Sequence, residues 1–331
     1  MSFPKNKPYF FFFVLFGFFI FFPWQKTEAA FCGDCIIDPG VTCDDLPFER
    51  ITKITTGDYH SCAIGDSGQA YCWGGNSSGQ LGNGNNIQSK IPILVTKLTH
   101  IAGISAGGFH TCAFTTAGNV YCWGNNDYGQ LGNGSTISSN TPTYISGVTN
   151  VIGISLGTRH SCAYTAVDEA YCWGNNDSGQ LGNGHNIQSN MPILVTGLTN
   201  IAGISAGGFY TCGYTTTGEA YCWGNNDYGQ LGIGNTTSIN RPELIIGLTN
   251  INKIDLGFSH TCAYSASNET YCWGNNNSGQ LGNGNTTSRN RPELITGLTN
   301  IAEINGGGSH TCAYTTAGEV YCWGNNYFGQ L

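Results

Sequence analysis

Apolar and polar positions alternate only over short distances in this chain. Runs such as Ile101–Ser105, Thr111–Thr115 and Val120–Trp123 are each cut off by glycine, asparagine or threonine. Segments of this length between turn residues predict β-strands, and Ile93–Thr96 in the preceding unit supplies a fourth strand type. No stretch carries the spacing of an amphipathic helix. The pattern also returns at a fixed interval. Tyr-Cys-Trp-Gly begins at Tyr71, Tyr121, Tyr171, Tyr221, Tyr271 and Tyr321, and Gly-Gln-Leu follows in register, from Gly79 to the final Leu331. This defines repeats 51–100, 101–150, 151–200, 201–250, 251–300 and a partial 301–331. Four short strands in about fifty residues make one propeller blade, whereas a helical solenoid needs helices and a β-helix needs shorter rungs. The expected fold is an all-β propeller over residues 51–331.

The first 29 residues read differently. Lys5 and Lys7 precede an unbroken apolar run, Tyr9–Phe22; Pro23 ends it, and Thr27 and Ala29 place small residues where a signal peptidase cleaves. A retained membrane anchor usually needs about 18 or more apolar residues, so a cleaved signal peptide (1–29) is expected, with no membrane insertion afterwards. Cleavage leaves 9 basic against 19 acidic residues and a formal charge of −10. That balance repels phosphate backbones and disfavours nucleic acid as a partner.

Each repeat holds one cysteine pair. The pairs are Cys62 with Cys72, Cys112 with Cys122, Cys162 with Cys172, Cys212 with Cys222, Cys262 with Cys272, and Cys312 with Cys322. If the three-residue loop Thr116-Ala117-Gly118 joins two strands, Thr115 closes against Asn119, Phe114 faces Val120 and Cys112 faces Cys122. Such loops want a left-handed residue in third place. That place holds Gly68, Gly118, Asp168, Gly218, Asn268 and Gly318, all types that tolerate positive φ. A directly opposed, non-hydrogen-bonded pair brings Cα atoms to about 4.5 Å, within disulfide reach. The rival reading is a zinc site using His110 with Cys112 and Cys122. Tyr210 replaces the histidine in the fourth repeat while Cys212 and Cys222 remain, and export favours bridges over thiolates. Six disulfides and no metal are therefore expected. Cys32, Cys35 and Cys43 lie in a separate segment, 30–50, and are odd in number.

The unit Gly307-x-x-His310 … Gly318 … Trp323-Gly324-Asn325 … Gly329-Gln330-Leu331, repeated six times, resembles the repeat of the regulator of chromosome condensation family. The resemblance implies a propeller, typically of seven blades, that binds other proteins through one face of the disc. The founding member of that family is a nuclear exchange factor for a small GTPase, and a secreted bacterial relative inhibits β-lactamases. The paired cysteines, the leader and the acidic balance depart from the nuclear pattern, and fold kinship alone does not fix function. The last repeat stops nineteen residues short of its period. Continuation of the chain is the preferred explanation, over closure by Cys32–Arg50, whose sequence matches the missing part poorly.

No nucleophile elbow, phosphate loop or metalloprotease motif occurs, and residues repeated in nearly every unit read as architecture. The recurring histidines, the tryptophans of the Tyr-Cys-Trp-Gly motif and the Asn-Asn loops are therefore assigned to packing and turn hydrogen bonds, and no enzyme and no cofactor are expected. Function is sought where the repeats differ. Before the histidine stand Tyr59, Phe109, Arg159 and Phe209, then serines; after Asn-Asn stand Tyr128, Tyr228 and Phe328, alternating with serines. Aromatic residues on loops of constant frame are candidate binding anchors. No charged cluster is expected beside them. Sequons at Asn76, Asn133, Asn176, Asn235 and Asn285 matter only in a host that glycosylates asparagine. The expectation is a secreted or cell-surface, non-catalytic, monomeric scaffold that binds a protein partner through loops on one face. The alternatives are an inhibitor of an extracellular enzyme and a structural surface repeat.

Overall fold

A computed structural model describes residues 50–331. The expectations for residues 1–29 and for Cys32, Cys35 and Cys43 lie outside the described residues. The first blade is an antiparallel meander of β1 (Ile51–Thr56), β2 (His60–Gly65), β3 (Ala70–Gly74) and β4 (Ser89–Leu94). Four more four-stranded sheets follow in the same order, and the sixth, β21 (Ile301–Gly306), β22 (His310–Thr315) and β23 (Val320–Gly324), has three strands. The molecule is an all-β propeller of six blades among the described residues, against the seven that the resemblance implied.

The hairpin register is the expected one. Thr115 N–H donates to Asn119 O at 2.9 Å, Phe114 pairs with Val120, and Cys112 pairs with Cys122. Gly118 has φ 75°, and Asp168 and Asn268, which replace glycine at this turn, have φ 63° and 64°. All six expected disulfides are formed. Cys62 is bonded to Cys72, Cys112 to Cys122 and Cys162 to Cys172 in the first three blades, each with a Cα separation of 4.1 Å. Cys212 is bonded to Cys222, Cys262 to Cys272 and Cys312 to Cys322 in the last three, at 4.1–4.2 Å. The fourth strand is Ser89–Leu94 rather than Ile93–Thr96. It is the outermost strand of its sheet, so Pro92 can occupy its open edge and its side chains need not be apolar. Val95, just beyond it, is buried and donates to Ala70 O at 2.8 Å.

The core lies between blades. One buried cluster joins Cys112, Cys122 and Leu131 of the second blade to Val151, Leu156 and Trp173 of the third, and the other clusters repeat this arrangement. The disulfides of the first five blades thus stand on the flank that meets the following blade. A polar seam runs beside it. The Gln80 carbonyl accepts from Trp123 Nε1 at 2.9 Å and from the Thr111 hydroxyl at 2.8 Å, both in the next blade. With its proton given to Gln80, Thr111 accepts from His60 Nε2 at 2.7 Å, which fixes the histidine tautomer. Gln130 receives Trp173 and Ser161 in the same way, and His110 bonds Ser161 at 2.9 Å. Gly82 lets the indole approach: a Cβ there would sit 2.6 Å from Trp123 Nε1. Where Tyr210 replaces histidine, its hydroxyl donates instead to the His260 carbonyl, reaching across to the next blade.

The outer flanks of the end blades carry no neighbouring sheet among the described residues and are correspondingly open. Ile51 is 51% exposed where its equivalent Ile101 is 5% exposed, and Val320 is 48% exposed where Val120 is fully buried.

Two outcomes follow from this core. Replacing Cys112 and Cys122 together by alanine should cost about 2–3 kcal/mol, read from the urea midpoint of the oxidised protein. A smaller loss than from reducing all six bridges is also expected. Acid should destabilise the fold. Burial lowers His60 to about 4 and His110, His160 and His260 to about 3, whereas an unfolded histidine titrates near ~6.5. Their contribution is complete above that unfolded value and is lost as pH falls toward the folded ones, because the unfolded chain takes up the protons. Asp255, pushed up to about 6 by burial, acts in the opposite sense. Its contribution is complete below the ordinary carboxylate range and fades as pH rises through its folded value. Burial raises Asp58 in the same sense. Four histidines outweigh these two carboxyls, so the melting temperature should fall between pH 7 and pH 4.5; a flat profile would contradict the buried neutral histidines.

Candidate binding face

In an antiparallel meander successive connections emerge alternately on the two faces of the disc. The loop between the first and second strands of each blade and the long loop between the third and fourth therefore share one face. Backbone bonds tie the two together: Asn125 N–H donates to Phe109 O at 2.8 Å and Asn175 N–H to Arg159 O at 2.9 Å. The long loop is built around a buried asparagine. Asn126 Nδ2 donates to Ser135 O at 3.1 Å and Ile137 O at 3.0 Å, and its Oδ1 accepts from Leu131 N–H at 2.9 Å. Gln130 completes the frame, accepting from Tyr128 N–H at 2.9 Å and donating to Asn125 at 2.6 Å. This is the turn-satisfying role expected for Asn125, Asn126 and Gln130. It also commits the buried Asn76 and Asn176, whose Nδ2 groups donate to carbonyls at 3.0 Å or less, while Asn235 and Asn285 stay exposed.

Several of the variable residues held by this frame meet across blade boundaries. Tyr59 stacks on Phe109 with ring centroids 4.6 Å apart. Arg159 donates to the Tyr128 hydroxyl at 2.9 Å and lies 4.7 Å from the Tyr128 ring centroid and 5.9 Å from that of Phe209. Phe209 meets Phe258 edge-on at 5.8 Å. Tyr228 and Phe258 are both exposed and line, with Phe209, a cavity of about 310 Å³. Phe328 packs edge-on against Tyr327 in the sixth blade, and these two are 76% and 84% exposed.

Phe258 and Tyr327 are not among the candidates read from the sequence, though each has a signal there. Phe258 replaces a position that is Asp58, Gly108, Thr158, Gly208 or Gly308 elsewhere, and Tyr327 one that is serine, aspartate or asparagine. The expectation of no charged cluster is corrected as well. Asp127, Asp177 and Asp227 are exposed on the same loops, each anchored by its neighbouring asparagine, as Asp127 is by Asn125 Nδ2 at 2.9 Å. The cysteines are consumed by disulfides, and the Nε2 atoms of His60, His110, His160 and His260 by hydroxyls of the next blade. A histidine–cysteine zinc set is therefore not formed in these hairpins.

Six disulfide-closed blades joined by a shared polar seam define a repeat β-propeller. Comparison of the sequence with known families places it further: the profile of the regulator of chromosome condensation (RCC1) repeat matches residues 67–114, 117–164, 168–214, 217–264 and 267–314. A second profile of the same repeat matches 51–80, 101–130, 151–180, 201–230, 251–280 and 301–330. The chain belongs to the RCC1 repeat family. Human E3 ubiquitin-protein ligase HERC2 is 38% identical over 64 residues, which is 18% of this chain and 1% of HERC2, so the chain spans a small fraction of that relative. Among solved structures, human WBSCR16 is similar with a TM-score of 0.76 at 24% identity, covering 84% of this chain and 77% of that one. Prp20p from Saccharomyces cerevisiae, whose structure was described with its binding to Gsp1p and histones, is similar with a TM-score of 0.74 at 20% identity, covering 83% and 72%. At these identities the likeness concerns the fold.

Frame and display residues should separate by stability. Asn126→Ala strips a buried loop of three hydrogen bonds and should cost about 2–4 kcal/mol, whereas Tyr128→Ser, the residue of alternate blades, should change stability by less than about 1 kcal/mol. Urea denaturation of the two variants measures both.

Proposed function

We propose that the protein is an exported, non-catalytic recognition propeller that binds a protein partner through the face bearing Tyr59, Phe109, Tyr128, Arg159, Phe209, Tyr228 and Phe328. One observation carries this reading: on a single face, residues that differ between repeats meet across blade boundaries, Tyr59 with Phe109 and Arg159 with Tyr128 and Phe209, and Tyr59, Tyr228 and Phe328 are large exposed aromatics. Aromatic and arginine side chains dominate the energetics of protein interfaces, while the residues shared by all blades are spent on the fold. The protein binding reported for the similar propeller Prp20p is compatible with that use of the architecture.

Export is supported by the leader-like segment 1–29 and by a disulfide in every blade, since such bridges persist in oxidising compartments. The proposal places the protein outside the cell or at its surface, as a monomer whose propeller spans 51–331. The acidic balance argues against a nucleic-acid partner.

The test is affinity capture with the oxidised protein from the extracellular fraction of its source, followed by mass spectrometry. A stoichiometric partner should be retained, and Tyr59→Ser with Phe109→Ser should weaken its binding at least about tenfold. Serine stands at this position as Ser259 and Ser309 in the last two blades, so the fold should tolerate it. Capture that is indifferent to these changes would remove the face from consideration. A captured hydrolase that loses activity on binding would identify the inhibitory variant of the same reading.

A further inference from the structure

We infer that the cavity between the fourth and fifth blades is a slot for an arginine side chain of the partner; this deepens the proposed function and rests on it. Phe209, Tyr228 and Phe258 line the slot together with Asp177, Asp227 and Ser259. Its volume of about 310 Å³ suits one long side chain better than a folded element.

The occupant is read from the equivalent junction two blades earlier, between the second and third blades. There the chain fills the corresponding space with its own guanidinium: Arg159 lies over the Tyr128 ring and close to Phe209, and bonds the Tyr128 hydroxyl. Two blades later, Tyr228 takes the place of Tyr128, and Ser259, which lines the cavity, takes the place of Arg159. The tyrosine wall persists, the internal cation is gone, and Phe258 adds a second aromatic face where the earlier junction has Thr158. Phe209 is thus a partition shared by a filled slot and an open one.

Charge points the same way. Aromatic faces attract cations, and the two exposed carboxylates beside them form no ion pair among the described residues. Arginine fits better than lysine because a planar guanidinium can lie against one ring, reach a tyrosine hydroxyl and still present N–H groups to a carboxylate. Asp177 and Asp227 are held by Asn175 and Asn225, at 2.8 Å and 2.9 Å, so the acceptors are oriented in advance.

The probe is the capped peptide acetyl-Gly-Arg-Gly-amide, titrated into the isotope-labelled oxidised protein while backbone amides are followed by NMR. Saturable shifts are expected at Phe209, Asp227, Tyr228 and Phe258, with the citrulline analogue at least about fivefold weaker, because it keeps the shape and loses the charge. The variant Tyr228→Ser with Phe258→Gly should abolish the saturable shifts. Both replacements are residues that other blades carry at these positions, so an otherwise unchanged amide spectrum serves as the folding control. Equal binding of the citrulline peptide, shifts that survive in that variant, or no saturable shift at tens of millimolar peptide would each overturn the slot. Partner capture that depends on Tyr59 and Phe109 but ignores Tyr228→Ser and Phe258→Gly would overturn it while leaving the face assignment standing. Arginine binding without any captured partner would support the slot and sink the capture reading.

Discussion

The carbonyl of one glutamine per blade is the constraint on which the assembly depends. Gln80, Gln130, Gln180, Gln230 and Gln280 each receive an indole N–H and a hydroxyl from the following blade. A buried carbonyl with two lone pairs occupied is fully satisfied, and both donors are too. The seam therefore sets the distance and angle between sheets with directional bonds, inside a layer otherwise made of leucine, isoleucine and tryptophan. The same glutamine side chain organises the loop that displays Tyr128 and its counterparts. Blade packing and loop presentation are consequently fixed by one residue, its backbone turned inward and its side chain turned to the binding face.

The disulfides complement that seam rather than duplicate it. In the first five blades each closes a hairpin whose flank is buried against the next blade, as Cys112 and Cys122 are against Trp173. A fifty-residue blade cannot bury its own apolar surface and depends on neighbours. A covalent staple within the hairpin limits how far a blade can fray when a neighbour is lost, which matters most at the open flanks around Ile51 and Val320.

Local features were legible in the sequence because their signals lie close together. The loop Thr116-Ala117-Gly118 and the two cysteines around it specify strand pairing to the residue, and the structure follows them. The fourth strand lies off its expected place because an outer edge strand carries no apolar period, and Pro92 argues against a strand only in the middle of a sheet. The seam was not legible at all: its partners are separated by 31, 43 and 51 residues, and only the propeller's curvature brings them together. The candidate residues could be chosen from variation among repeats, but their contacts could not. Asp127, Asp177 and Asp227 escaped notice as charges because, beside Asn-Asn and before Gly-Gln-Leu, they read as turn chemistry.

Tyr210 shows how far the frame can be altered without disturbing display. A bulkier phenol replaces an imidazole in the inter-blade layer, yet its hydroxyl finds the His260 carbonyl and lies 3.1 Å from the Thr261 hydroxyl, so the donor remains satisfied. The backbone on either side is unmoved in kind: Gly207 N–H still donates to Tyr210 O, and Asn225 N–H still donates to Phe209 O. Phe209 therefore stands where the repeat geometry puts it, whatever occupies the position behind it. This independence lets neighbouring blades place tyrosine, phenylalanine, arginine or serine at equivalent points of one face. The face becomes specific through the order in which unlike blades follow one another, and Phe209, shared by two junctions, is where that order is most directly expressed.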